Sequence, residues 1–150
     1  MNNLKKELHN LCINYVQKRI DTVEHAIKAT QQAANEETKS SAGDKYETGR
    51  AMMQQETDRN QAQLNEANKL MVALNQINSY ATSKTVEAGS LVITNNGKFY
   101  IAISAGTLVV NGETFFVVSP ASPIGLNLKG QKVGYEFNLN GRLYKIENLI

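Results

Sequence analysis

The sequence predicts an α+β fold, with an N-terminal antiparallel α-helical coiled-coil hairpin over residues 1–80 and a C-terminal antiparallel β-sheet module with a short helix over residues 81–150. Three observations predict it. Residues 1–80 contain no proline and only two glycines, Gly43 and Gly49, whereas both prolines and the other eight glycines come later. Apolar residues in the first half recur at helical spacing. The second half holds all four phenylalanines and three Asn-Gly dipeptides, at Asn96-Gly97, Asn111-Gly112 and Asn140-Gly141, which signal tight hairpins.

In the first helix the sticky face runs through Leu4, Leu8, Leu11, Tyr15, Ile20, Val23, Ile27 and Ala34. In the second, Met53, Thr57, Asn60, Leu64, Ala67, Met71 and Leu74 alternate steps of four and three, a heptad seam with polar or small residues near its start. The break between the helices falls near residues 40–48. Arms of roughly 30 residues at 1.5 Å rise would form a rod about 45 Å long. Its distal end, with Gln31-Gln32, Asn35-Glu36-Glu37, Gln54-Gln55 and Asn60-Gln61, is too polar to be buried on every side, so the hairpin is expected to project. Strands are expected over 90–94, 98–104, 107–110, 113–119, 135–139 and 142–150. The stretch from Pro120 to Gly130 is too rich in proline for a central strand and has room for one short helix over the sheet.

Composition narrows the functional classes. A chain of 150 residues, 41% apolar and 20% charged, is globular, and it has no apolar run long enough for a membrane span. The N-terminus passes straight into a charged amphipathic pattern with no signal core, which points to the cytoplasm. One cysteine, Cys12, permits neither an internal disulfide nor a zinc cluster. A net charge of +2 is too weak for phosphate attraction to make nucleic acid the default partner.

The only punctuation in the helical half is the loop from Ser40 to Gly49, where Asp44 and Glu47 stand three residues apart. As a capping box, Asp44 would cap the second helix and Glu47 would reach back to its N–H. As a functional pair, the two carboxylates would form half of a site for a hard cation such as Mg²⁺, with the other ligands supplied by another macromolecule. The two readings are compatible, because a cap that orients carboxylates also presents them.

At these residues the chain resembles the bacterial Gre family of transcript-cleavage factors over nearly its whole length. The loop Gly43-Asp44-Lys45-Tyr46-Glu47 is similar to the family's acidic tip, and Val86-Glu87-Ala88-Gly89-Ser90-Leu91-Val92 to the segment that opens its C-terminal sheet. The most specific piece is Ser119-Pro120-Ala121-Ser122-Pro123-Ile124-Gly125 followed by residues 128–136. The resemblance implies a coiled-coil finger on an FKBP-like domain that docks on RNA polymerase at its secondary channel. It implies that Asp44 and Glu47 help hold a second Mg²⁺ near the nascent RNA 3′ end, so that the polymerase cleaves its own backtracked transcript. The chain would then be an accessory factor and not an enzyme, with no cofactor bound alone, no membrane partner and no direct recognition of DNA sequence. Ser122, Pro123, Gly125, Lys129 and Lys132 would lie on the polymerase-facing side. Where the family continues after the tip with an acid and an aromatic, this chain has Arg50 and Ala51. That departure keeps open an alternative, a Gre-like secondary-channel regulator that modulates or inhibits transcription without stimulating cleavage.

Other candidates reduce to structure. Cys12, beside Leu11 on a helix, is expected to be a structural thiol, since no oxyanion loop is near it in sequence. His9 and His25 lack metalloprotease spacing and are expected to be solvated. Lys5, Lys6, Lys18, Arg19 and Lys28 interleave with acids, as on a solvated helix face. Ile124, Leu126 and Leu128 are expected in the core. Prolyl isomerisation would rest on fold analogy alone.

Overall fold

A computed structural model describes residues 2–39, 44–78 and 82–150, with side chains placed for 3–36, 49–78 and 82–150. Helix α1 spans Asn2–Lys39 and helix α2 spans Asp44–Asn75. They are followed by β1 (Leu91–Thr94), β2 (Gly97–Ile101), β3 (Gly106–Val110), β4 (Glu113–Val118), α3 (Pro123–Leu128), β5 (Glu136–Leu139) and β6 (Arg142–Leu149). Each expected strand is present, and α3 falls inside the proline-containing stretch. The helical break is shorter than expected: α2 already begins at Asp44, so Gly49 lies within it. One glycine inside a helix costs only about 1 kcal/mol relative to alanine, too little to stop it.

The strands form one six-stranded sheet in the order β3-β4-β2-β1-β6-β5. It is mixed, not purely antiparallel, because β2 and β4 pair in parallel, Phe99 opposite Phe116 and Ile101 opposite Val118. The chain leaves β2, runs along the edge as β3 and turns back, and this brings β4 alongside β2 in the same direction. Two hairpin loops, Asn111-Gly112 and Asn140-Gly141, have positive φ at both residues, as type I′ turns require. The third differs: Thr94 pairs with Gly97, so the loop is Asn95-Asn96, and Gly97 takes the positive φ as the first residue of β2.

The chain forms two compact units, one of Met1–Tyr15 with Val72–Ile150, the other of Val16–Met71. In the first unit, a core of Val86, Val92, Phe99, Ile101, Leu128, Phe137 and Ile146 lies where α3 meets the sheet, with Ile124 and Tyr144 packed against it. A run of rings crosses this face. Phe116 stacks on Phe99 at 5.4 Å, Phe99 meets Tyr144 edge-on at 6.1 Å, and Phe137 stacks on both Tyr144 at 5.1 Å and Tyr135 at 5.9 Å. Such offset pairs add to the stabilisation from burial alone.

The first turns of α1 belong to this unit and bury Leu8, His9, Cys12 and, although it is a lysine, Lys5. The sequence-derived face therefore needs correction. Tyr15 is exposed, Leu11 is only partly buried, and the buried line runs through Cys12 and Val16.

The second unit consists of residues 16–39 of α1 and 44–71 of α2, joined through four residues. So short a link returns the second helix antiparallel to the first. Equal counting from the link sets Val23 level with Asn60 and Val16 level with Ala67, and all four are buried. The heptad seam of α2 is as expected: Asn60, Ala67 and Leu74 are buried, with Met53, Thr57, Leu64 and Met71 partly so.

Candidate functional site

Asp44 and Glu47 occupy the first turn of α2, three residues apart and so on one face of the helix. Acids there are favoured by the partial positive charge of a helix N-terminus. Their side chains, and the loop 40–43 before them, lie outside the described residues, and with them the choice between cap and cation ligand. On the following turn Arg50 and Ala51 are exposed, and Met52 is 65% exposed, while Met53 turns toward the seam. The outer surface of the same unit is held by amide pairs one turn apart. Gln54 Nε2 donates to Asp58 Oδ1 at 3.0 Å, Gln61 Nε2 to Asn65 Oδ1 at 3.2 Å, and Gln17 Nε2 to Asp21 Oδ1 at 3.0 Å. Each contributes a few tenths of a kcal/mol to its helix.

The second cluster surrounds α3. Ser122 is its N-cap: the Oγ donates to the Ser119 carbonyl at 2.6 Å and accepts from the Gly125 N–H at 3.1 Å. Pro123 fills the first helical position, where a missing N–H costs nothing. Gly125 is buried, and a Cβ there would overlap the Ser119 carbonyl oxygen, so only glycine lets the turn close. The serine, proline and glycine of this motif thus have structural duties. The exposed side chains beside them are Lys129, Lys132, Leu126 and Val133. Leu126, expected in the core, is on the surface instead, because a helix of six residues offers the sheet only Ile124 and Leu128. Val133 lies within the motif of residues 128–136 but was not singled out as a partner-facing residue. Two motifs far apart in sequence meet here, since Val86 N–H donates to Gln131 O at 2.9 Å and Gly130 N–H to Val86 O at 2.8 Å.

A third group is buried. Nδ1 of His9 and the Tyr100 hydroxyl share a hydrogen bond at 3.0 Å, with the rings edge-on. His9 is 8% exposed, not solvated as its helix spacing suggested, while His25 is exposed. Burial holds His9 below the usual imidazole range, lifts the Tyr100 hydroxyl with a smaller push from Cys12, and raises the Cys12 thiol to about 12. A thiol so disposed is no nucleophile at neutral pH. Lys5 is 2% exposed, and desolvation lowers its pKa against a partly compensating pull from Glu87. It too departs from the solvated face expected of it. Among the described residues no three His, Cys, Asp or Glu side chains gather as metal ligands, and no helix is long and apolar enough to cross a membrane.

No family profile matches the chain, and neither does any curated protein sequence. Among solved structures it is similar to "Structure of the transcription factor Gfh1", at 16% identity and a TM-score of 0.37, over 91% of this chain and 92% of that one.

Proposed function

We propose that this chain is a Gre-like transcription factor that binds RNA polymerase at its secondary channel and stimulates the polymerase's own Mg²⁺-dependent cleavage of backtracked RNA. The observation that carries the reading is the position of Asp44 and Glu47, on the first turn of a long helix in the compact unit Val16–Met71. In this reading the pair supplies oxygen ligands to an Mg²⁺ shared with the polymerase near the RNA 3′ end, and the chain has no active centre of its own. When bound, the ion would polarise phosphate and water. The chain's own task is to carry two carboxylates on a rigid helix. The sheet unit docks through the α3 surface, with Lys129 and Lys132 facing acidic protein.

The test is Mg²⁺-dependent RNA shortening in stalled, backtracked elongation complexes. Wild-type protein is expected to accelerate it, and an Asp44→Ala, Glu47→Ala double variant to lose the acceleration. Equal rates with the two proteins would end the cleavage reading. A second reading, channel occupancy without cleavage, is favoured by exposed Arg50 and Ala51, three and four residues after Glu47, since a cation near the carboxylates would offset their pull on a metal. It predicts competition with a cleavage factor and no RNA shortening.

A further inference from the structure

The three Asn-Gly dipeptides are alike in sequence and differ sharply in the fold. Strands β2, β4 and β6 all run the same way, so the turns that precede them lie along one end of the sheet. The turn before β2 is clamped. Asn96 Nδ2 donates to the Leu143 carbonyl at 2.6 Å, and the Asn96 N–H donates to Thr94 Oγ1 at 3.1 Å. Its neighbour Asn95 donates to the same Leu143 carbonyl at 3.1 Å and accepts from the Lys145 N–H at 2.7 Å. Both strands joined by this turn are interior to the sheet. Asn111 and Asn140 stand otherwise. Each is exposed, neither side-chain amide has a hydrogen bond to a described residue, and Gly112 and Gly141 have open space where a Cβ would be. Their turns end β3 and β5, the two edge strands, which are paired on one side only. Edge strands open more readily than interior ones, and opening frees the turn backbone.

We infer that Asn111 and Asn140 are sites of spontaneous deamidation and that the fold protects Asn96. In the reaction the backbone nitrogen of the following glycine loses its proton and attacks the asparagine Cγ, closing a five-membered succinimide and expelling ammonia. Water then adds to one of the two ring carbonyls and the ring opens, leaving aspartate or its β-linked isomer with no change of oxidation state. At Asn96 the amide that must turn toward the glycine nitrogen is held against β6, and the ring cannot close until those bonds break. Each conversion adds one negative charge, so the two together bring the chain from its net +2 to zero. The β-linked isomer also lengthens the backbone of a two-residue turn, which mismatches the type I′ geometry that sets the hairpin register. The modification would therefore loosen both edges of the sheet.

The full-length protein is incubated at 37 °C and mildly alkaline pH in ¹⁸O-labelled water, and the label is located by peptide mass mapping. Label is expected at positions 111 and 140 well before position 96. Under denaturing urea the three positions should convert at similar rates. Position 96 reacting as fast as the other two in the folded protein would overturn the inference. So would the same order persisting in urea, which would assign it to local sequence, or no label at 111 and 140 by the time urea-unfolded chain is fully converted.

Discussion

Burial beside the Tyr100 hydroxyl disfavours a proton on His9, so the folded protein holds this imidazole below its ordinary pKa. The sign of the pH effect follows. Near pH 7 and above, both folded and unfolded chains hold His9 neutral, and its contribution to stability is complete. As pH falls through the ordinary histidine value of about 6.5, the unfolded chain takes up a proton that the folded one does not, and stability declines toward the lowered folded value. Thermal melts between pH 7.5 and 5 should show this loss in the wild type and a smaller one in His9→Gln. Cys12, with its thiol at about 12, should resist thiol reagents at pH 8 until the protein is unfolded. The burial of His9 was illegible in sequence because its partner is on the sheet, Tyr100 being 91 residues away, and the charge that pulls on Lys5 belongs to similarly distant Glu87. Periodicity places residues relative to one another on a helix, and a partner that distant leaves no local trace.

Among the elements, the second helix was the most legible: its seam from Met53 to Leu74 is the heptad read directly from spacing. Within it Asn60 is 4% exposed with its Nδ2 unpartnered among the described residues, and counting from the link puts it level with Val23. An unpaired buried amide costs about 1–3 kcal/mol, so Asn60→Val is expected to raise stability by about 1 kcal/mol or more, read as an increase in melting temperature. At α3, Ser122→Ala removes the cap and should cost about 1 kcal/mol in denaturant unfolding. Gly125→Ala forces a methyl group into the Ser119 carbonyl and should cost about 1–3 kcal/mol in the same assay. The hairpins were legible from their Asn-Gly turns. The parallel β2–β4 pair was not, because nothing local to β3 says that it will take the edge and leave β4 the place beside β2.

At the scale of the whole molecule, the sequence set Asp44 and Glu47 in the break between the two long helices, and the structure has both in the first turn of the second helix instead. It also marked the α3 motif as a partner surface, and there the hydrogen bonds of Ser122, the fixed backbone angle of Pro123 and the close packing of Gly125 serve the fold as well. Buried Gly125 and bonded Ser122 were inseparable in sequence from exposed Lys129 and Lys132, since a motif shows which residues occur together and not which way each faces. The two lysines should therefore separate from the acids in their effects. Charge reversal at the lysines should weaken attachment to the polymerase by about tenfold, which corresponds to about 1.4 kcal/mol. Loss of the acids should abolish action on the transcript and leave attachment intact. The most direct measurement is the equilibrium binding of the full chain to purified core RNA polymerase, alongside the Asp44→Ala, Glu47→Ala and Lys129→Glu, Lys132→Glu double variants. The account predicts saturable binding that the first variant retains and the second weakens. Absence of binding by the wild-type chain at micromolar concentrations would contradict it.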